Sequence, residues 1–136
     1  MTSADIKALE EADEVELTTT GRVTGREISH PVWFVRVGTT LYLVPVKGSD
    51  SDWYRNVLKH PTLRVEATEA SWRERATPIT DPAKVNAVVE KFRDKYGADE
   101  VKKYYSKLDV AVRLSLGRKA KTSGSTRTRT RARRSR

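Results

Sequence analysis

The sequence predicts a mainly β fold, with around six short, mostly antiparallel strands in a closed or half-open barrel and helices packed on its outside. Short segments such as 62–68 and 109–116 alternate apolar and polar residues, which is typical of half-buried strands. Gly38-Thr39-Thr40 separates two apolar runs in the manner of a hairpin turn. The chain has 136 residues, of which 37% are hydrophobic, so it has room for one core.

The first half of the chain predicts a short helix, three strands and a second short helix, over residues 2–12, 15–20, 28–37, 41–46 and 51–60. Thr2 and Asp5 have the spacing of a capping box at the start of the first helix. The β-branched and aromatic residues of the next segments favour strands. Pro61 ends the second helix, because proline cannot continue one.

The second half predicts two strands over residues 62–68 and 71–79. A helix over 82–96 and a second helix from Asp99 onward follow, and the last strand covers 109–116. Asp81 is a natural N-cap for the longer helix, and Pro82 suits its first turn. An apolar stripe that includes Val85, Phe92 and Tyr96 predicts its buried face. Gly97 ends that helix.

The positive charge is concentrated at the carboxyl end. The net charge is +9, and nine lysines and arginines without any acid lie from Gly117 onward. The preceding part is therefore neutral. We expect an N-terminal helical segment (1–14), a barrel domain (15–116) and a disordered basic tail (117–136), with any nucleic-acid contact made through the tail alone.

Several kinds of chemistry are excluded by composition. The chain has no cysteine, which excludes disulfides and thiolate chemistry. Its only histidines, His30 and His60, provide neither a predicted metal site nor a Ser–His–Asp triad. The acidic start is unlike a signal peptide, and no apolar run is long enough to span a membrane, so we expect a cytoplasmic protein. Redox chemistry would need a bound cofactor.

Two segments have the composition of anion-binding loops. The turn from Gly21 to Arg26 combines two glycines, a hydroxyl and two guanidiniums, and the alternative is an ordinary turn with solvated arginines. Lys47-Gly48-Ser49 precedes a helix whose first N–H groups could bind an anion. Asp50 and Asp52 favour the opposite interpretation, because carboxylates there would cap the helix and repel a phosphate.

The order of these motifs resembles the deazaflavin-dependent nitroreductase and quinone reductase family, part of the split β-barrels related to pyridoxamine phosphate oxidase. The matching motifs are the turn Gly21 to Gly25, Pro31-Val32, Lys47-Gly48, and Trp53-Tyr54-Arg55-Asn56 through Pro61. The resemblance implies a six-stranded split barrel that acts as a homodimer. Positions that are often basic in that family hold Val23 and Ile28 here, so coenzyme F-420 (8-hydroxy-5-deazaflavin) and FMN both stay open as the cofactor.

The resemblance also implies the site residues. Tyr104 and Tyr105 would act on the substrate as proton or hydrogen-bond donors. The cofactor would contact Arg22, Thr24, Gly25, Arg26, Pro31, Val32, Trp33, Val46, Lys47, Gly48, Ser49, Trp53 and Asn56. The implied function is an oxidoreductase that transfers a hydride from the reduced cofactor to a quinone, nitro compound or activated alkene. The alternatives are a non-catalytic binding module for a small ligand and nucleic-acid tethering through the tail.

Overall fold

The computed structural model describes residues 2–116, and the expected basic tail lies outside the described residues. The helices within this range are α1 (Ser3–Glu11), α2 (Asp52–Lys59), α3 (Pro82–Tyr96) and α4 (Ala98–Tyr104). The strands are β1 (Val15–Thr20), β2 (Glu27–Val32), β3 (Val35–Val37), β4 (Thr40–Leu43), β5 (Thr62–Ala67), β6 (Ala70–Arg75), β7 (Thr77–Ile79) and β8 (Ala111–Ser115). A 3-10 turn, Gly48–Asp50, leads into α2.

The strands form two four-stranded antiparallel sheets. The first sheet has the order β2-β1-β5-β6, and the second has the order β3-β4-β8-β7. The hairpin between β3 and β4 turns at Gly38 and Thr39, as the sequence predicts. The expectation of a mainly β, antiparallel fold with peripheral helices is therefore confirmed.

The predicted count of six strands is not what the structure shows. The expected strand over 28–37 is divided at Trp33 and Phe34 into β2 and β3, and the one over 71–79 is divided at Ala76 into β6 and β7. Each division carries the chain from the first sheet to the second, so eight strands form two open sheets rather than a closed barrel. Neither bend has a glycine, and the sequence pattern gives no sign of it.

The core has two parts. The larger one joins the inner faces of the two sheets and α2, and it includes Leu17, Val65, Leu41 and Leu114, none of which is more than 1% exposed. The second part packs α3 and α4 against the second sheet around Phe92. Each such side chain contributes about 1.5–3 kcal/mol by burial, so these contacts hold the helices beside the sheets.

The helix ends follow the sequence closely. The predicted capping box of α1 is present, with the Asp5 N–H donating to Thr2 Oγ1 and the Thr2 N–H donating to the Asp5 carboxylate, both at 3.1 Å. Asp81 caps α3 by accepting the Lys84 N–H, and Gly97 ends that helix. These caps satisfy N–H groups that the first turn of a helix leaves without partners.

Within residues 2–116, no helix is long and apolar enough to cross a membrane. The same part of the chain has no group of three or more potential metal-ligating side chains.

Candidate ligand-binding site

A cavity of about 890 Å³ opens between the first sheet, the segment that follows β4, and the helices α2 and α4. This volume lies in the range of about 300–1000 Å³ that small-molecule sites occupy. The residues that line it are Glu14, Thr19, Ile28, His30, Pro31, Val32, Trp33, Val44, Val46, Lys47, Asp50, Ser51, Asp52, Trp53, Asn56, Glu100, Tyr104 and Tyr105.

Aromatic rings form one wall of the cavity. The Trp33 indole stacks on the Tyr96 ring, with centroids 4.2 Å apart and planes 7° from parallel. The Tyr104 ring meets Trp33 edge-on at 5.6 Å, and the Tyr105 ring lies tilted at 5.9 Å. Stacked and edge-on pairs of this kind fix the orientation of the rings, so the wall is made of aromatic rings set at different angles around Trp33.

The bend between β2 and β3 holds Trp33 in place. The Phe34 N–H donates to the Tyr96 hydroxyl oxygen at 3.1 Å, and the Lys95 ammonium donates to the Phe34 carbonyl at 2.8 Å. The Tyr96 hydroxyl donates a hydrogen bond to the Asp13 carbonyl at 2.6 Å. Side chains of α3 thus satisfy backbone groups that leave the sheet at the bend.

Burial changes the acidity of the groups at this bend. It raises the pKa of Tyr96 to about 12, and it lowers the pKa of Lys95 from its ordinary value. Burial, with a smaller effect of the neighbouring Tyr96, also raises the pKa of Tyr105 far above its ordinary value. The two phenols therefore stay protonated at neutral pH and are hydrogen-bond donors.

The turn from Gly21 to Arg26, the glycine-arginine turn, packs against α2. The Gly21 N–H donates to the Arg26 carbonyl at 2.7 Å, which closes the turn. Both the backbone N–H and the guanidinium of Arg22 donate to the Asn56 Oδ1, at 3.1 and 2.8 Å. Asn56 is 2% exposed and its amide lies 3.4 Å from Thr19 Oγ1, so a buried amide fixes the position of the turn.

The segment Lys47-Gly48-Ser49, the lysine-glycine segment, is hydrogen-bonded to the residues that precede β8. The Ser49 N–H and hydroxyl donate to the two carboxylate oxygens of Asp109, at 2.9 and 2.6 Å. The Lys47 N–H donates to Ser51 Oγ at 2.9 Å, while the Lys47 side chain is exposed in the cavity. Hydrogen bonds from Ser49 and the charge of Lys107 outweigh burial and lower the pKa of Asp109.

The structure brings most of the sequence-predicted site residues together. Nine of them line the cavity, namely Pro31, Val32, Trp33, Val46, Lys47, Trp53, Asn56, Tyr104 and Tyr105. Six others do not line it, namely Arg22, Thr24, Gly25, Arg26, Gly48 and Ser49. Arg22 is nevertheless adjacent, because it contacts the cavity residues Asn56 and Asp52.

Sequence reasoning missed several residues that shape the site. Asp109 occupies the Ser49 donors, and Tyr96 supports Trp33 from behind. Tyr96 is part of the predicted apolar stripe of its helix, but the pattern does not show that its hydroxyl reaches a strand. Glu14 and Glu100 line the cavity without belonging to a motif. Asp52 has a signal in the sequence, since it opposes an anion at the helix start.

The family model described as "Uncharacterized protein conserved in bacteria (DUF2255)" matches residues 5–116. No curated protein matches the chain.

Solved structures share the fold at low sequence identity. An F-420-H2-dependent reductase (FDR-A) is 21% identical with a TM-score of 0.60, over 76% of this chain and 94% of that one. A putative pyridoxamine 5'-phosphate oxidase from Listeria innocua is 14% identical with a TM-score of 0.63, over 85% and 92%. The haem storage protein HutZ from Vibrio cholerae is 16% identical with a TM-score of 0.64, over 85% and 90%.

Proposed function

We propose that this chain, which belongs to the DUF2255 family of bacterial proteins, binds a flavin or deazaflavin ring and acts as a small reductase. The observation that carries the proposal is the aromatic-walled cavity that nine of the sequence-predicted site residues line. Its volume of about 890 Å³ leaves room for a tricyclic ring together with a small substrate.

The residues of the cavity fit the ring of such a cofactor. The aromatic wall made by Trp33, Tyr104 and Tyr105 offers stacking and edge contacts to a planar heteroaromatic group, and Val32, Val44 and Val46 add apolar surface. The fit does not extend to a charged tail. Arg22 and Ser49, which would bind a phosphate, already bind the carboxylates of Asp52 and Asp109.

A reduced flavin or deazaflavin, with the ring type of FMN or of F-420, would supply the hydride that reduces a quinone, nitro compound or activated alkene. The chain itself would bind the ring, orient it and exclude water from it. Trp33 and the neighbouring valines cover the ring, while Tyr105 donates a hydrogen bond from a phenol that stays protonated. Tyr104 is 49% exposed, and we assign it to the mouth of the cavity, where it contacts the substrate.

The fold supports this proposal, because similar structures include an F-420-H2-dependent reductase and a putative pyridoxamine 5'-phosphate oxidase. We also propose that the chain works as a homodimer. Ile28, Val46 and Tyr104 are large apolar side chains that line the cavity while 46%, 46% and 49% exposed. Such a patch is suited to a second subunit. Light scattering after gel filtration tests the dimer, and a monomeric mass would contradict it.

Binding of the ring is tested by titrating the purified chain with riboflavin, FMN, a deazaflavin riboside and F-420 while following ligand fluorescence. We expect micromolar binding of at least one ring type. Val46→Trp should weaken it by about ten-fold, because an indole on this wall takes part of the space that the ring would use. The matched control is Val37→Trp, since Val37 is equally exposed at 46% but lies outside the cavity. Absence of binding by all four compounds would end the proposal.

A non-catalytic binding module is the second candidate. It is favoured by the internal carboxylates at Arg22 and Ser49, which occupy groups that a cofactor phosphate would use. The two functions differ in turnover. A binding module holds the ring, but the reduced cofactor is not oxidised when quinones, nitro compounds or activated alkenes are added. With a reductase the reduced cofactor is oxidised by at least one of these substrates. Tyr105→Phe should slow that oxidation by about ten-fold or more.

A further inference from the structure

The Arg22 guanidinium is bound by residues of the first two turns of α2. Its two terminal nitrogens contact Asn56 Oδ1 at 2.8 Å, the Asp52 carbonyl at 3.3 Å and the Asp52 carboxylate at 3.2 Å. A guanidinium that faces a phosphate normally uses the same pair of nitrogens in a bidentate contact. The Asp52 carboxylate therefore competes with an anionic ligand for Arg22.

On the lysine-glycine segment, Ser49 likewise binds a carboxylate of the chain itself in place of an external anion. Its backbone N–H and its hydroxyl each donate to one oxygen of the Asp109 carboxylate. These two donors at the start of a helical turn are what a phosphate would use. Gly48 has no side chain and a φ of +55°, and a Cβ added there would overlap the Asp109 carboxylate. The backbone is thus shaped around this internal carboxylate.

The charges on the cavity wall also disfavour the binding of an anion. Among the described residues, four acidic side chains line the cavity, at Glu14, Asp50, Asp52 and Glu100, and Lys47 is the single lysine or arginine that does so. Asp50 is bound by Arg55 and Lys107, at 3.3 and 3.1 Å, so these two cations are also neutralised within the chain. An anion entering this wall would therefore meet four carboxylates and a single cation, the exposed Lys47.

From these contacts we propose that the cavity selects ring ligands with an uncharged tail over those with a phosphate or polyanionic tail, and that Asp52 is the specificity-determining residue. The proposal rests on the proposed function, because it assumes that a flavin or deazaflavin ring binds. Asp52 acts by competing for Arg22. Its carboxylate is 87% exposed, so it is attached to the rest of the chain mainly by this ion pair and can be removed without disturbing the core.

Pairs of ligands that share a ring and differ in the tail test this selection. The full chain is titrated with riboflavin against FMN, and with a deazaflavin riboside against F-420, at low and high salt. We expect the uncharged member of each pair to bind at least as tightly as the charged one. Added salt should tighten FMN binding relative to riboflavin, because it screens repulsion between the phosphate and the carboxylates.

Asp52→Ala should strengthen FMN binding by about ten-fold, because it gives the phosphate a charged hydrogen-bonding partner in Arg22. Riboflavin affinity should change less than about two-fold, since its tail carries no charge. Adding Arg22→Gln to Asp52→Ala should remove the gain. The matched control is Asp94→Ala, which removes an exposed carboxylate that does not line the cavity.

The outcomes separate the two proposals. If riboflavin binds and FMN binds still more tightly, with an affinity that falls as salt rises, the tail selection is wrong while the ring-binding function stands. An unchanged FMN affinity in Asp52→Ala removes the role of Asp52. If none of the four compounds binds, the proposed function fails and this inference fails with it.

Discussion

Gly48 and Asp109 depend on each other although they lie in different parts of the chain. The Gly48 backbone has a φ of +55°, and a Cβ added to it would overlap the Asp109 carboxylate and lie 2.9 Å from the Lys107 carbonyl oxygen. Asp109 in turn accepts both donors of Ser49. This contact joins the segment after β4 to the segment before β8, which together flank the cavity.

We expect Gly48→Ala to lower the free energy of unfolding by about 2–3 kcal/mol, because it adds backbone strain and a clash at once. Gly38→Ala is the matched control, since Gly38 has a φ of +61° with nothing within 4 Å of the added Cβ. Its cost should be about 1 kcal/mol from strain alone. Urea unfolding measures both, and equal losses would show that the clash at Asp109 is relieved without cost.

The Asp109 carboxylate also predicts a pH effect. Burial acts to raise its pKa, but the hydrogen bonds from Ser49 and the charge of Lys107 lower the pKa below the ordinary value of 3.8. A carboxyl with a lowered pKa stabilises the fold above the unfolded pKa, and this contribution is lost as the pH falls through the folded value.

Asp109→Asn should therefore be less stable than the unmodified chain at pH 6, by less than about 1 kcal/mol because the side chain is 39% exposed. The difference should shrink progressively as the pH falls below about 4, because the folded carboxyl then becomes protonated. Urea unfolding across this range measures it, with Asp94→Asn as the control for a general loss of negative charge. A difference that stays constant with pH would contradict the assignment.

Only those parts of the site that depend on local sequence motifs could be predicted. The motifs at Pro31, Lys47, Trp53 and Asn56 place residues that do line one cavity. The occupation of Ser49 by Asp109, sixty residues further along the chain, has no local signal. A pattern shows which groups could bind an anion, but only the fold shows which of them the chain already uses.

At the level of elements, the bend between β2 and β3 is held by α3 rather than by its own sequence. Phe34 is 1% exposed, and its N–H donates to the Tyr96 hydroxyl while its carbonyl accepts from Lys95. The Lys95 ammonium also lies 3.6 Å from the centre of the Phe34 ring. One helix end therefore satisfies both backbone groups of a residue that the sheets leave unpaired.

Tyr96→Phe should destabilise the chain by about 1–3 kcal/mol, because it leaves the buried Phe34 N–H without an acceptor. The ring stays in place, so the stack with Trp33 should be kept and tryptophan fluorescence should change little. Tyr42→Phe is the control, because it removes the hydroxyl of a half-buried tyrosine in β4 that pairs with Val35 beside the bend but makes no hydrogen bond to Phe34. Similar losses in the two variants would show that the hydrogen bond at Phe34 contributes little.

Elements with strong local signals were predicted well, and the bends were not. The capping box of α1, the Asp81 cap of α3 and the Gly97 end all form as their residue types favour. The divisions at Phe34 and Ala76 arise from packing between sheets and helices, which residue type alone does not encode. That difference accounts for the prediction of six strands where the structure has eight.

For the molecule as a whole, every contact described above lies within residues 2–116, and the nine basic residues from Gly117 onward lie outside the described part. We expect a chain that ends at Gly117 to unfold at the same urea concentration and to bind the ring ligand unchanged. Any binding of nucleic acid should disappear, because that proposal assigns it to phosphate contacts by the tail. Fluorescence titration and a DNA-binding assay measure the two properties, and loss of ligand affinity would give the tail a part in the site.

The two sheets are continuous with each other at two places, where β2 runs into β3 and β6 runs into β7. Neither sheet can detach without pulling on strands of the other, so partial opening that exposes one face of the core is disfavoured. The most slowly exchanging amide hydrogens of the central strands β1 and β4 should consequently be replaced by deuterium at a common rate. That rate would report complete unfolding of the domain.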